Sequence, residues 1–139
     1  MEIYYDGYVE GLFHMASSLS KNIGPSYIRA TVYNKENFVE EFSKNYKINK
    51  KYLNILPTKK TLEDILHEWL DDKKIEESLL YWLNYKIGKY DKVLASDDAR
   101  IIDVLSGSEK GLSGFYTLED IYFIEYEEFY LILMMGNNE

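Results

Sequence analysis

Apolar residues recur at helical spacing in five stretches of the chain and at alternating or continuous positions near its C-terminus. Val9, Leu12, Phe13, Ala16 and Leu19 step by threes and fours, which puts them on one face of a helix opening just after Gly7. Ahead of it Glu2–Tyr5 reads as a strand. A competing reading uses Asp6-Gly7 as a type I′ hairpin turn, because both residues accept positive φ. Gly11 weakens the helix by about 1 kcal/mol relative to alanine, and Asn22 and Gly24 supply a stop. After Pro25 the β-branched and aromatic "SYIRATVY" favours a strand. Asn34 is then a good N-cap for a helix in which Phe38, Val39 and Phe42 share a face. "YLNIL" reads as a short strand closed by Pro57.

The next two helices have the clearest patterns. Leu62, Ile65, Leu66, Trp69 and Leu70 form one stripe, and Thr61 with Asp64 has the spacing of a capping box. Ile75, Leu79, Trp82, Leu83 and Ile87 form the second stripe, which Gly88 closes. "SDDARIIDVLSG" reads as a shorter helix with Ser96 as its N-cap and Gly107 as its end. "SGSEKGLSG" is a loop. The pentapeptide "TLEDI" occurs twice, at Thr61–Ile65 and Thr117–Ile121, but its flanks do not match, so it is not a repeat; its second copy is expected to open with a helical turn before the chain straightens.

"IYFIEYE" and "FYLILMM" are too aromatic and branched for ordinary helix and are joined tightly at Glu127-Glu128, which predicts an antiparallel hairpin. The second strand is apolar from Phe129 to Met135, so both its faces need cover. In the first, Tyr122, Ile124 and Tyr126 share one face while Glu125 and Glu127 share the other, which takes the end of that strand to solvent. The pattern as a whole predicts one α+β domain over 1–139: about five helices on a small, mostly antiparallel sheet with a C-terminal hairpin, the N-terminal strand pairing with that hairpin.

Composition fits this picture. The chain has 139 residues, 46% of them hydrophobic and 16% aromatic, which fills one core and is too apolar for intrinsic disorder. It contains no cysteine, so disulfides, thiolate nucleophiles and thiolate metal sites are excluded together. The start "MEIYYDGYVEG" lacks the basic-then-apolar order of a signal peptide, and the run Phe129 to Met135 is far short of the ~20 residues of a spanning helix. The expected location is the cytoplasm, without membrane contact.

Charge divides the chain. Residues 1–60 hold nine basic and six acidic side chains, whereas residues 61–139 hold seven and eighteen, within a net charge of −8. The acidic half disfavours nucleic acid and suits a partner with a basic surface. Its candidate contact residues are an acidic rim of Asp71, Asp72, Glu125, Glu127 and Glu128 with Tyr126, in a chain of fourteen tyrosines. The basic half offers an alternative: "KNYKINKKYLNILPTKK" carries six lysines and no acid, so Lys44, Lys47, Lys50 and Lys51 would meet phosphates while Tyr46 and Tyr52 stack on bases. A helix-turn-helix opening at Gly24-Pro25 would add Ser26, Tyr27, Arg29 and Thr31, but the segment's composition prefers a strand.

Catalytic patterns are sparse. His67 begins "HEWLD", which places Asp71 where a zinc protease has its second histidine, so a weak metal site there is the one enzymatic reading. His14 lies four residues after Glu10, a helical side-chain pair. Neither G-x-S-x-G, a P-loop nor a dinucleotide fingerprint is present. The expectation is therefore a non-catalytic acidic protein-binding domain of inhibitor, immunity or mobile-element accessory type. It calls for no cofactor and no metal, and its partner is a protein with a basic surface or a second copy.

Overall fold

The computed structural model describes residues 6–19, 26–46, 53–96 and 116–138. The order of elements is α1 (Asp6–Leu19), β1 (Ser26–Asn34), α2 (Phe38–Tyr46), β2 (Leu56–Pro57), α3 (Leu62–Leu70), α4 (Lys73–Ile87), β3 (Lys92–Ser96), β4 (Tyr116–Glu125) and β5 (Phe129–Asn138). All five strands join one antiparallel sheet in the order β1-β5-β4-β3-β2. The α+β class holds, with four helices among the described residues instead of about five. The fifth expected helix lies outside the described residues, apart from its expected N-cap Ser96, which is the last residue of β3.

The continuous apolar run of β5 is explained by its place in the sheet. β5 pairs with β1 on one side and β4 on the other, and both its faces are buried. Phe129, Leu131 and Leu133 join Ala30, Val32, Val93, Tyr122 and Ile124 beneath α1, α3 and α4. Ile132 and Met134 point the other way, into a second cluster with Ile121, Phe123 and Phe42 from α2. Fully burying a side chain of this size contributes about 1.5–3 kcal/mol. A strand in which Phe129, Leu131, Ile132, Leu133 and Met134 are buried, with Tyr130 partly open between them, is thus the main anchor of both layers.

Helices α1, α3 and α4 cover one face of the sheet, and α2 covers the other. The capping box at α3 forms: Thr61 accepts from the Asp64 N–H at 3.1 Å, and the Thr61 N–H donates to Asp64 at 3.0 Å. All five predicted stripe residues of α3 are buried. Gly88 ends α4 at φ 84°, a backbone conformation that glycine adopts freely.

Several expectations shift. Asn34 does not cap α2, because β1 runs through it, paired with Phe129, and the Lys35 N–H then donates to Glu128 O. The helix begins three residues later, its first turn closed by the Glu41 N–H to Asn37 O. The helix-turn-helix alternative fails, since Ser26–Asn34 is a sheet strand. Pro57 does not follow a strand "YLNIL" but forms part of the two-residue edge strand β2, where a missing donor costs least. The strand β3 went unrecognised in the sequence. "TLEDI" opens helix α3 at its first copy yet lies in strand β4 at its second, with a bulge between Leu118 and Asp120; no helical turn precedes it from Tyr116 onward. Glu2–Tyr5 and their pairing lie outside the described residues; it is β1 that pairs with the hairpin.

Candidate docking surface

The acidic residues of the sequence reading do not form one surface. Glu125 sits at the end of β4, mostly buried, with its carboxylate 2.9 Å from Lys35 Nζ and 3.7 Å from Lys92 Nζ. Its cross-strand neighbour Tyr130 donates to it at 3.4 Å. The hydrogen bond from Lys35 holds the Glu125 carboxyl below the usual carboxylate range and raises Lys35 in return. Tyr126 is 2% exposed, stacked on Phe129 at 4.9 Å, and its phenol is pushed up by burial. Of the hairpin's share of the rim, Glu127 and Glu128 at the tip are exposed.

Asp71 and Asp72 belong to another turn, between α3 and α4. Asp71 is the C-cap of α3 in the left-handed region at φ 48°, and Asp72 is the N-cap of α4, accepting from the Ile75 N–H at 3.3 Å. Glu76 is buried; it accepts from the Asp72 N–H at 2.7 Å and lies 3.2 Å from His67 Nδ1. His67 therefore faces Glu76 and not a ligand set completed by Asp71. No group of three metal-ligating side chains occurs among the described residues. Glu68 pairs with Lys60 at 2.9 Å, and Lys60 also donates to the Tyr122 hydroxyl at 3.1 Å. The phenol of Tyr90 accepts from the Leu62 N–H and donates to Glu63. Much of the acidic set is thus spent on caps and internal pairs. Of the lysine-rich segment, Lys44 is exposed near the end of α2 and Tyr46 closes that helix; Lys47, Lys50, Lys51 and Tyr52 lie outside the described residues.

The surface that stands out is apolar. Six large hydrophobic side chains are exposed among the described residues, and five lie on α1 and α4: Met15, Leu19, Tyr81, Trp82 and Tyr85. Trp82, placed in the core stripe by the sequence pattern, is 44% exposed, and Tyr85 is 73% exposed. Tyr81, Trp82 and Tyr85 meet edge to face, with ring centroids 5.1 and 5.8 Å apart, the arrangement favoured by aromatic quadrupoles.

Each helix carries two apolar stripes. On α4 the inner stripe, centred on Leu79 and Leu83, enters the core, while Tyr81, Trp82 and Tyr85 form a second, exposed one. On α1 the inner stripe is Val9, Phe13 and Ala16, and Tyr8, Leu12, Met15 and Leu19 follow at spacings of four, three and four. Lys86 near the end of α4 sits 5.3 Å over the ring of Tyr8 near the start of α1, so the two helices run antiparallel. Between the two helices lies a groove of about 400 Å³, lined by Leu12, Met15 and Leu19 from α1 and by Ile75, Leu79 and Trp82 from α4. Lys74 is its charged lining residue among the described residues. The signal for this face was in the sequence: a stripe on α4 that includes Tyr81, Trp82 and Tyr85 is too wide for one buried face.

No protein-family model matches the chain, and neither curated proteins nor solved structures give a match, so fold and surface carry the functional reading by themselves. No helix among the described residues is long and apolar enough to cross a membrane.

Proposed function

We propose that this chain is a non-catalytic protein-binding domain that engages its partner through the α1–α4 face. The observation that carries the reading is that, among the described residues, five of the six exposed large hydrophobic side chains gather on two adjacent helices. A single exposed Leu or Tyr needs no explanation, but a contiguous patch around a concave floor marks an interaction site. Its composition is that of an interface centre, where Trp, Tyr and Met are enriched and truncation of a single aromatic is costly. The net charge of −8 adds long-range attraction toward a basic partner, so acidic residues speed encounter while the groove supplies affinity. An inhibitor, immunity or mobile-element accessory protein would work in this way.

Photo-crosslinking in the native cell tests the reading. A photoreactive amino acid at position 85 should give one defined protein adduct that disappears in Trp82→Ala, and the same probe at position 128 should give none. A defined adduct from position 128 alone, unaffected by Trp82→Ala, would overturn it.

A further inference from the structure

Resting on that reading, we infer that the occupant of the α1–α4 groove is one amphipathic helix of a partner protein, oriented by a carboxylate set against Lys74. The walls of the groove are themselves helix ridges. Leu12, Met15 and Leu19 on α1 run beside Lys74, Ser78 and Trp82 on α4, and side-chain rows at these spacings accept the ridge of a third helix. From Lys74 to Trp82 the α4 wall of the groove is about 12 Å long at 1.5 Å per residue, which seats a little over two turns. An occupant would present apolar side chains at i, i+3 or i+4, and i+7, as in helix-in-groove recognition.

Two other occupants fit less well. An extended peptide binds by adding main-chain hydrogen bonds to a sheet edge, whereas the helices flanking this groove have already paired their backbone groups internally. A second copy would bring another −8 charge against the first.

Lys74 supplies direction. It lies in the first turn of α4, at one end of an otherwise uncharged lining among the described residues. A carboxylate opposite it makes a rim pair, which adds little affinity but discriminates between the two ways a helix can lie in the groove.

The test is selection of a displayed library of random 14-residue peptides on the full chain, with the enriched peptides then measured against variants. Enriched sequences should carry apolar residues at helical spacing with Asp or Glu at one end, and should bind Trp82→Ala and Met15→Ser at least tenfold more weakly. Lys74→Glu should invert the end preference from acidic to basic. Peptides that depend on Trp82 but lack helical spacing would overturn the helix assignment and leave the docking face standing. Peptides indifferent to both Trp82→Ala and Met15→Ser, or no enrichment at all, would count against the docking face as well.

Discussion

Trp82 and Tyr85 lie edge to face on the outer side of α4, ring centroids 5.8 Å apart at 84°, and both are exposed to solvent. The other tryptophan, Trp69, is buried against Tyr122. The two indoles therefore report on different places. Acrylamide should quench Trp82 and spare Trp69, so Trp82→Ala should remove most of the quenchable emission. Because Trp82 is outside the core, the same variant should lose no more than about 1 kcal/mol of stability in a denaturant titration.

Tyr126 gives a prediction of unusual sign. Its hydroxyl is buried and has no hydrogen-bond partner among the described residues, while its ring stacks on Phe129. A buried polar group without a partner costs about 1–3 kcal/mol. Tyr126→Phe keeps the ring and removes the hydroxyl, so it should leave stability unchanged or raise it by up to about 1 kcal/mol. A loss of more than 1 kcal/mol in urea unfolding would show that the hydroxyl is bonded.

The α3–α4 turn separates structural from recognition roles for two acidic residues. Asp72→Ala removes the N-cap of α4 and should cost about 1 kcal/mol. Asp71 holds a left-handed conformation at φ 48°, which glycine adopts without strain, so Asp71→Gly should be neutral or slightly stabilising. Thermal melts of the two variants should move in different directions, and neither should alter partner binding.

Acid and alkali should destabilise the protein through the same pair of residues. The folded state holds Glu125 below its ordinary range through the hydrogen bond from Lys35. That contribution is present above the unfolded glutamate value, about 4.3, and is lost as pH falls through the lower folded value. Asp64, held down by the backbone and side-chain bonds of Thr61, acts in the same direction. Lys35 is raised, so its contribution is intact below its unfolded value and is lost as pH rises through the folded one. Burial raises Tyr126 as well, which adds to the alkaline loss. Glu125→Gln should flatten the acid limb of a stability–pH profile while leaving the region near neutrality almost level; an unchanged acid limb would remove Glu125 from the account.

Much of this architecture was legible in the chain. The α3 stripe, its capping box, the Gly88 stop and the C-terminal hairpin could be read because local chemistry and tertiary packing ask for the same residues there. Where neighbours decide, the sequence was ambiguous: "TLEDI" is helix beside Thr61 and strand between β3 and β5. β3 is a strand of only five residues, too short for its pattern to separate it from a loop, and is defined by its partners β2 and β4. The site was less legible still. Glu125 looked like surface because acids usually are, but two lysines brought by β3 and the turn after β1 allow it to be mostly buried. Trp82 looked like core because tryptophan fits a stripe, yet α4 offers the sheet only the side that carries Leu79 and Leu83.

The most direct test of the docking face is to measure the affinity of the crosslinked partner, once purified, for the unaltered chain, for Trp82→Ala and for the double variant Glu127→Gln/Glu128→Gln. The groove account predicts at least a tenfold loss for Trp82→Ala, the scale of an aromatic hot spot, and less than a threefold change for the hairpin variant. Full affinity in Trp82→Ala with a large loss in the hairpin variant would contradict it and return binding to the acidic tip of the hairpin.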